Sequence, residues 1–151
     1  MKPTIIALKG KANCGKTKTL TRVLAMLKNQ PNAKIEEEKK LGDFDSFAII
    51  IIGKVKVGIT TEGDPGGLLE INIDIFIKAG CQVIICACRT RQSTRDVISK
   101  FEASLDVILI CQTYDHDQSE SKQLNIQETK VQEILKTALQ IIQKNQTEND
   151  Q

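Results

Sequence analysis

The residues that point most directly to chemistry form one loop near the start of the chain. They match the pattern G-x-x-x-x-G-K-[ST] at every defined position: Gly10, Lys11, Ala12, Asn13, Cys14, Gly15, Lys16 and Thr17. The two glycines let the backbone curl so that successive N–H groups point at a polyphosphate. Lys16 supplies a cation for the β- and γ-phosphates, and the Thr17 hydroxyl provides an oxygen ligand for Mg²⁺. The loop therefore predicts binding of a nucleoside triphosphate with Mg²⁺.

Such a loop needs a strand before it and a helix after it, and the flanking residues predict both. Residues 4–8 are β-branched or apolar and lead into Lys9. Residues 16–29 carry apolar side chains at helical spacing, namely Leu20, Val23, Leu24 and Leu27. The positive end of that helix's dipole then points at the bound phosphates, which favours the same interpretation.

The rest of the chain alternates between strand and helix patterns. Residues 32–46 are predicted as a polar connector, and the later elements are strands at 47–52, 55–60, 82–88 and 106–111 and helices at 67–79, 93–104 and 126–144. Gly53 and Lys54 predict a tight hairpin turn between two of these strands. Right-handed crossovers then predict a three-layer α/β/α sandwich with a mostly parallel five-stranded sheet and one antiparallel hairpin strand. The interpretation is one domain at 1–144 and a flexible C-terminal tail at 145–151.

The loop together with this element order resembles the P-loop NTPase superfamily, in the form of a small single-domain member. The hairpin before the second helix is similar in order to that of the Ras-like small GTPases. The resemblance implies a P-loop NTPase fold and Mg²⁺-dependent binding and hydrolysis of a nucleoside triphosphate. It also implies a role for Asp64-Pro65-Gly66-Gly67, which fits the family's D-x-x-G pattern.

In that family the aspartate of D-x-x-G reaches Mg²⁺ through water, and the glycine N–H meets the γ-phosphate. Asp64 is therefore the first choice for the carboxylate on the magnesium side. Glu62 is an alternative for that role, because the polar residues 60–63 separate the apolar strand from Asp64. A third reading, in which residues 62–67 form only a turn, stays open.

Three arginines follow the strand at 82–88, where an open α/β sheet presents its ligand crevice. Arg89 and Arg91 lie nearest the strand end and are candidates to stabilise charge during phosphoryl transfer, with Arg95 further along. The alternative is a polar connection in which Thr94 caps the next helix and the arginines stay in water.

Guanine recognition is not supported by the sequence. Small GTPases carry N-K-x-D after the strand that corresponds to 106–111, and here only Asp115, beside Tyr114, matches. We therefore expect ATP as the nucleotide, or a relaxed preference that includes GTP. His116 is interpreted as a solvated loop residue.

Composition limits the partners and the compartment. The net charge of +2 is too small to indicate a nucleic-acid or membrane partner, and the longest apolar run, residues 47–53, is too short to cross a bilayer. With no basic-then-apolar leader, the chain is predicted to be cytoplasmic. Cys86 and Cys88 fit small buried core residues, whereas Cys14 is either a redox-sensitive residue or a variable loop position.

Three functions remain open at this point. The first is a slow NTPase that uses Lys16, Thr17, Asp64 and an arginine. The second is a kinase that transfers phosphate to a small molecule or a nucleotide, and it is disfavoured because no dedicated carboxylate base for an acceptor is evident. The third is a nucleotide-dependent switch with little hydrolysis, in which the nucleotide orders residues 60–67 to recruit a protein partner.

Overall fold

The computed structural model describes residues 2–10, 15–42, 45–62, 66–88, 93–112 and 119–149. These residues form six strands and four helices. In chain order they are β1 (Thr4–Lys9), α1 (Lys16–Lys28), β2 (Ala33–Leu41), β3 (Asp45–Ile52), β4 (Val55–Thr60), α2 (Gly66–Lys78), β5 (Val83–Cys88), α3 (Ser93–Phe101), β6 (Asp106–Cys111) and α4 (Glu120–Asn149).

All six strands form one mixed sheet in the order β2-β3-β4-β5-β1-β6. The neighbours β4–β5, β5–β1 and β1–β6 are parallel, whereas β2–β3 and β3–β4 are antiparallel. The predicted fold class, a three-layer sandwich on a mostly parallel five-stranded sheet with one antiparallel hairpin strand, is therefore wrong. The β3–β4 hairpin itself is confirmed, and Gly53 in its turn takes a φ of 63° that favours glycine.

The missing strand is β2, which lies within the segment predicted as a polar connector. It is an edge strand, and its residues 34–40 are exposed on both faces, so no apolar alternation marks it. Its charges find partners on neighbouring elements: Glu38 with Lys28 at 2.9 Å and Glu36 with Lys56 at 3.1 Å. Charged side chains on an edge strand also discourage pairing with other chains, which explains why a strand carries this composition.

Two clusters of buried side chains lie on the two faces of the sheet. Along β1, Ile6 and Leu8 enter the cluster that includes α1 and α4, whereas Ile5 and Ala7 enter the cluster that includes α2 and α3. This alternation follows from the two-residue period of a strand. Among the described elements, β5 is buried along its whole length, as expected for a strand covered on both faces.

Helix α4 extends five residues past its predicted end at Lys144. Asn145 is buried, and Gln146 Nε2 donates a hydrogen bond to the Ile52 carbonyl oxygen at 3.0 Å. This contact ties the helix end to the β3–β4 turn. In the part of the chain that the structure describes, no helix combines the length and apolar character needed to cross a membrane.

We expect Gln146→Ala to lower the free energy of unfolding by about 1 kcal/mol, because the Ile52 carbonyl loses its side-chain donor. Gln143→Ala, one turn earlier on an exposed face of α4, is the matched control and should change the stability little. Urea unfolding measures both. Equal stabilities for the two variants would mean that the contact contributes nothing.

Candidate nucleotide site

The chain passes from strand to helix at residues 9–19, where the predicted phosphate loop lies. The Gly10 N–H donates to the Cys88 carbonyl oxygen at 3.1 Å, which ends β1 beside β5. Gly15 has a φ of 86°, in the left-handed region, and α1 begins directly after it. Because Gly15 has no side chain, it cannot cap the first N–H groups of α1, which leaves them suited to an anion. Residues 11–14 lie outside the described residues.

The Lys16 side chain folds back towards the start of the loop. Its Nζ donates to the Gly10 carbonyl oxygen at 2.5 Å, so the cation lies at the carboxyl end of β1 and beside the helix N-terminus. Thr17 follows in the first helical turn and is half-buried. The structure thus brings together Gly10, Gly15, Lys16 and Thr17 of the predicted loop.

Four strands direct their carboxyl ends to this same edge of the sheet. Lys9, the last residue of β1, is level with Cys88 of β5 and with Cys111 of β6. Strand β4 is parallel to these strands, but β5 separates it from β1. Two strand spacings amount to roughly 10 Å, so a carboxylate that follows β4 must reach past the end of β5 to meet a cation at Thr17. The candidates Asp64, Arg89 and Arg91 lie outside the described residues.

Glu62 is the described carboxylate at the end of β4. Its backbone N–H donates to Thr60 Oγ1 at 3.3 Å. Desolvation raises the pKa of the Glu62 carboxyl above its ordinary range, and the negative charge of Asp45 raises that pKa further. A cation near Glu62 would oppose both effects.

Asp45 also lies at this end of the sheet, and it was not identified from the sequence. It begins β3, which runs antiparallel to β4, and therefore lies at the same edge as Glu62. Thr61 joins the two strands: its Oγ1 donates to Asp45 Oδ1 at 2.9 Å and accepts the Ser46 N–H at 3.0 Å. A single aspartate inside a polar run carries no signal that pairs it with a glutamate 17 residues later.

We expect Glu62→Gln to change how stability depends on pH. The pKa of Glu62 in the folded protein exceeds its ordinary value of 4.5, so the folded state holds the proton over a window that begins near 4.5. Stability therefore falls as the pH rises through that window, and the neutral glutamine removes this loss. Melting temperatures from pH 4 to pH 8 should diverge, with the variant gaining on the wild type. Parallel curves would contradict the prediction.

A second pair missed from the sequence is buried beside the loop. The Gln112 N–H donates to the Lys9 carbonyl oxygen at 2.8 Å, and Thr19 Oγ1 donates to Gln112 Oε1 at 2.7 Å. Both side chains belong to fully buried residues. A lone glutamine directly after an apolar strand carries no sequence signal that would indicate burial.

The remaining predicted residues divide between described and undescribed parts of the chain. The burial of Cys86 and Cys88 is confirmed, and burial together with the neighbouring Cys88 raises the pKa of the Cys86 thiol. Tyr114, Asp115 and Cys14 lie outside the described residues. Within the described ranges, no group of three or more His, Cys, Asp or Glu side chains is arranged to hold a metal ion.

The described residues can present the N–H groups at the start of α1 to an anion. Lys16 supplies positive charge at the same place. Comparisons of the chain with protein-family models, with curated proteins and with solved structures found no match.

Proposed function

We propose that this protein binds a nucleoside triphosphate, ATP in preference to GTP, together with Mg²⁺ and hydrolyses its terminal phosphoanhydride bond. The observation that carries the proposal is the return of Lys16 Nζ to the Gly10 carbonyl oxygen across a loop that ends in a left-handed glycine. The resemblance of this loop's sequence to the P-loop NTPase superfamily supports the same proposal.

In this proposal the loop binds the phosphates through its backbone and through Lys16. The Lys16 ammonium exchanges its hydrogen bond to the Gly10 carbonyl for bonds to the β- and γ-phosphate oxygens. The backbone N–H groups at the start of α1 donate to the same phosphates, with the helix dipole aligned. Arg89 and Arg91, which follow β5 in sequence, are proposed to stabilise charge on the transferred group.

Magnesium would be held by the Thr17 hydroxyl, the phosphates and a carboxylate from Glu62 or Asp64. Held by these groups, the ion would neutralise charge on the β- and γ-phosphate oxygens. A bound cation would lower the pKa of Glu62, which desolvation and the charge of Asp45 raise in its absence. Asp45 adds negative charge to the same edge and so strengthens its attraction for a divalent ion.

A second candidate function is a nucleotide-dependent switch, and one observation favours it. Leu68, Ile71 and Ile75 are all exposed on α2 and follow the spacing of three and four residues that places them on one helix face. This helix begins at Gly66, within the segment 60–67. Under this proposal nucleotide binding at that segment would alter how α2 is presented to a protein partner.

The test is thermal unfolding and product analysis of the purified protein with ATP, GTP, CTP and UTP, each with and without Mg²⁺. At one hundred times the dissociation constant, a ligand stabilises the folded state by about 2.7 kcal/mol. For a chain of this size that raises the melting temperature by roughly 5–10 °C.

The outcomes separate the candidates. Stabilisation with phosphate release supports the NTPase, whereas stabilisation without product supports the switch. Release that rises with an added acceptor supports a kinase. If none of the four nucleotides stabilises the protein, nucleotide binding is ruled out and the proposal fails.

A further inference from the structure

The buried pair Thr19 and Gln112 joins both sides of the phosphate loop. The backbone N–H of Gln112 donates to the carbonyl oxygen of Lys9, the residue immediately before the loop. Its side chain accepts the hydroxyl of Thr19, two residues after the loop, at 2.7 Å. One residue from the end of β6 therefore contacts the chain on each side of residues 10–17.

The Thr19 hydroxyl lies within hydrogen-bond distance of two acceptors, one on Gln112 and one at the start of its own helix. The contact with Gln112 Oε1 is the shorter one, at 2.7 Å, while the Gly15 carbonyl oxygen lies 3.2 Å from the hydroxyl and also accepts the Thr19 N–H at 3.1 Å. A hydroxyl in a helix commonly returns to the carbonyl of the preceding turn, as Thr21 does to Thr17 at 2.7 Å. The Thr19 contact thus secures the first turn of α1 against β6.

We propose that Gln112 and Thr19 are positioning residues of the nucleotide site. Their hydrogen bond holds the first turn of α1, with Lys16 and Thr17, at a set distance from the end of β1. Neither side chain needs to touch the nucleotide, because both are fully buried. This inference rests on the proposed nucleotide-binding function and adds the residues that preorganise its loop.

The burial of both side chains gives the contact its effect. In a water-excluded position solvent cannot take the place of a lost partner, so removing either group deletes the 2.7 Å hydrogen bond with nothing to replace it. The first turn of α1 would then shift or loosen to find a partner. A displacement of this kind at a phosphate site weakens nucleotide binding and slows turnover, since both depend on aligned N–H groups.

The experiment compares Thr19→Val, Gln112→Leu and the double variant with the wild type, by Mg²⁺-ATP affinity and by urea unfolding. We expect each single variant to weaken affinity by about tenfold to a hundredfold. The double variant should be no weaker than the worse single variant, because both changes break one contact. Thr19→Ser, which keeps the hydroxyl, should stay within about threefold of the wild type.

Gln146→Ala is the matched control, since it also removes one partly buried side-chain hydrogen bond. Gln146 lies beside Ile52, at the end of the sheet opposite the phosphate loop. It should lower stability without changing affinity. The positioning role is overturned if Thr19→Val and Gln112→Leu bind nucleotide as well as Gln146→Ala does, or if their effects on affinity add.

A ligand-free measurement separates this inference from the proposed function. Hydrogen exchange at the Thr19 amide, which donates to Gly15 O, should quicken in Thr19→Val and Gln112→Leu beyond the change in overall stability. If the wild type binds no nucleotide, the proposed function fails and the positioning role fails with it, while exchange still reports whether the pair holds the helix. If the wild type binds and exchange at Thr19 is unchanged in the variants, only the positioning role fails.

Discussion

Gly58→Ala should destabilise the protein by about 3 kcal/mol, because the centre of β4 has no room for a methyl group. A Cβ on Gly58 would lie 2.4 Å from Phe76 Cδ1 and 2.5 Å from its Cγ. The Phe76 ring cannot move aside freely, since it is fully buried and stacks on Phe47 with ring centroids 4.7 Å apart. Urea unfolding measures the loss.

The double variant Gly58→Ala, Phe76→Ala identifies the cause. Phe76→Ala alone should cost about 3–5 kcal/mol, since it leaves a cavity between α2 and the sheet. In that background the Gly58→Ala methyl group has space, so its own cost should fall to below about 1 kcal/mol. If the two losses simply add, the clash with Phe76 is not what limits position 58, and backbone preference at β4 is the better explanation.

The same contact illustrates which parts of the fold follow from sequence. Helix α2 is predicted at 67–79 and observed at Gly66–Lys78, because its apolar spacing is a local signal. The place of α2 over Gly58 depends on how distant strands are ordered, and no local pattern encodes that order. The position of β5 between β1 and β4 is non-local in the same sense.

Strand β2 was missed for a different physical reason. Its charged residues are tolerated because both its faces are exposed, and its pairing comes from backbone hydrogen bonds to β3, which any residue other than proline can make. The charged run from Glu36 to Lys40 correctly predicts that these residues are exposed to solvent, but it does not distinguish a strand from a loop. Interpretation from apolar periodicity therefore fails at a strand that, like β2, is exposed on both faces.

The residues of the candidate site also differ in whether a local sequence pattern or a contact between distant elements identifies them. Gly10, Gly15, Lys16 and Thr17 are proposed as phosphate-binding residues because their spacing within eight residues fits a local motif. The pairing of Thr19 with Gln112, 93 residues apart, has no such spacing and depends on the adjacency of β1 and β6. Residues proposed to bind phosphate can thus be nominated from sequence more easily than those proposed to hold them in place.

Lys16→Ala should cause the largest functional loss among single substitutions. Under the proposed function, Lys16 is the cation that passes from the Gly10 carbonyl to the terminal phosphates. Removing such a charge from a phosphoryl-transfer site costs about 10²- to 10³-fold in turnover. The melting-temperature rise caused by Mg²⁺-ATP should also vanish, while the nucleotide-free protein loses only about 1 kcal/mol from the missing hydrogen bond.

Lys18→Ala is the matched control, because Lys18 lies two residues along α1, carries the same charge and is exposed. Both substitutions lower the net charge by the same amount, so a difference between the two variants reflects the position of the lysine and not overall electrostatics. Turnover and the nucleotide-induced melting shift should stay near wild type in Lys18→Ala. If Lys16→Ala and Lys18→Ala lose activity equally, the loop attracts nucleotide only through its general positive charge. The specific return of Lys16 to Gly10 would then have no catalytic meaning.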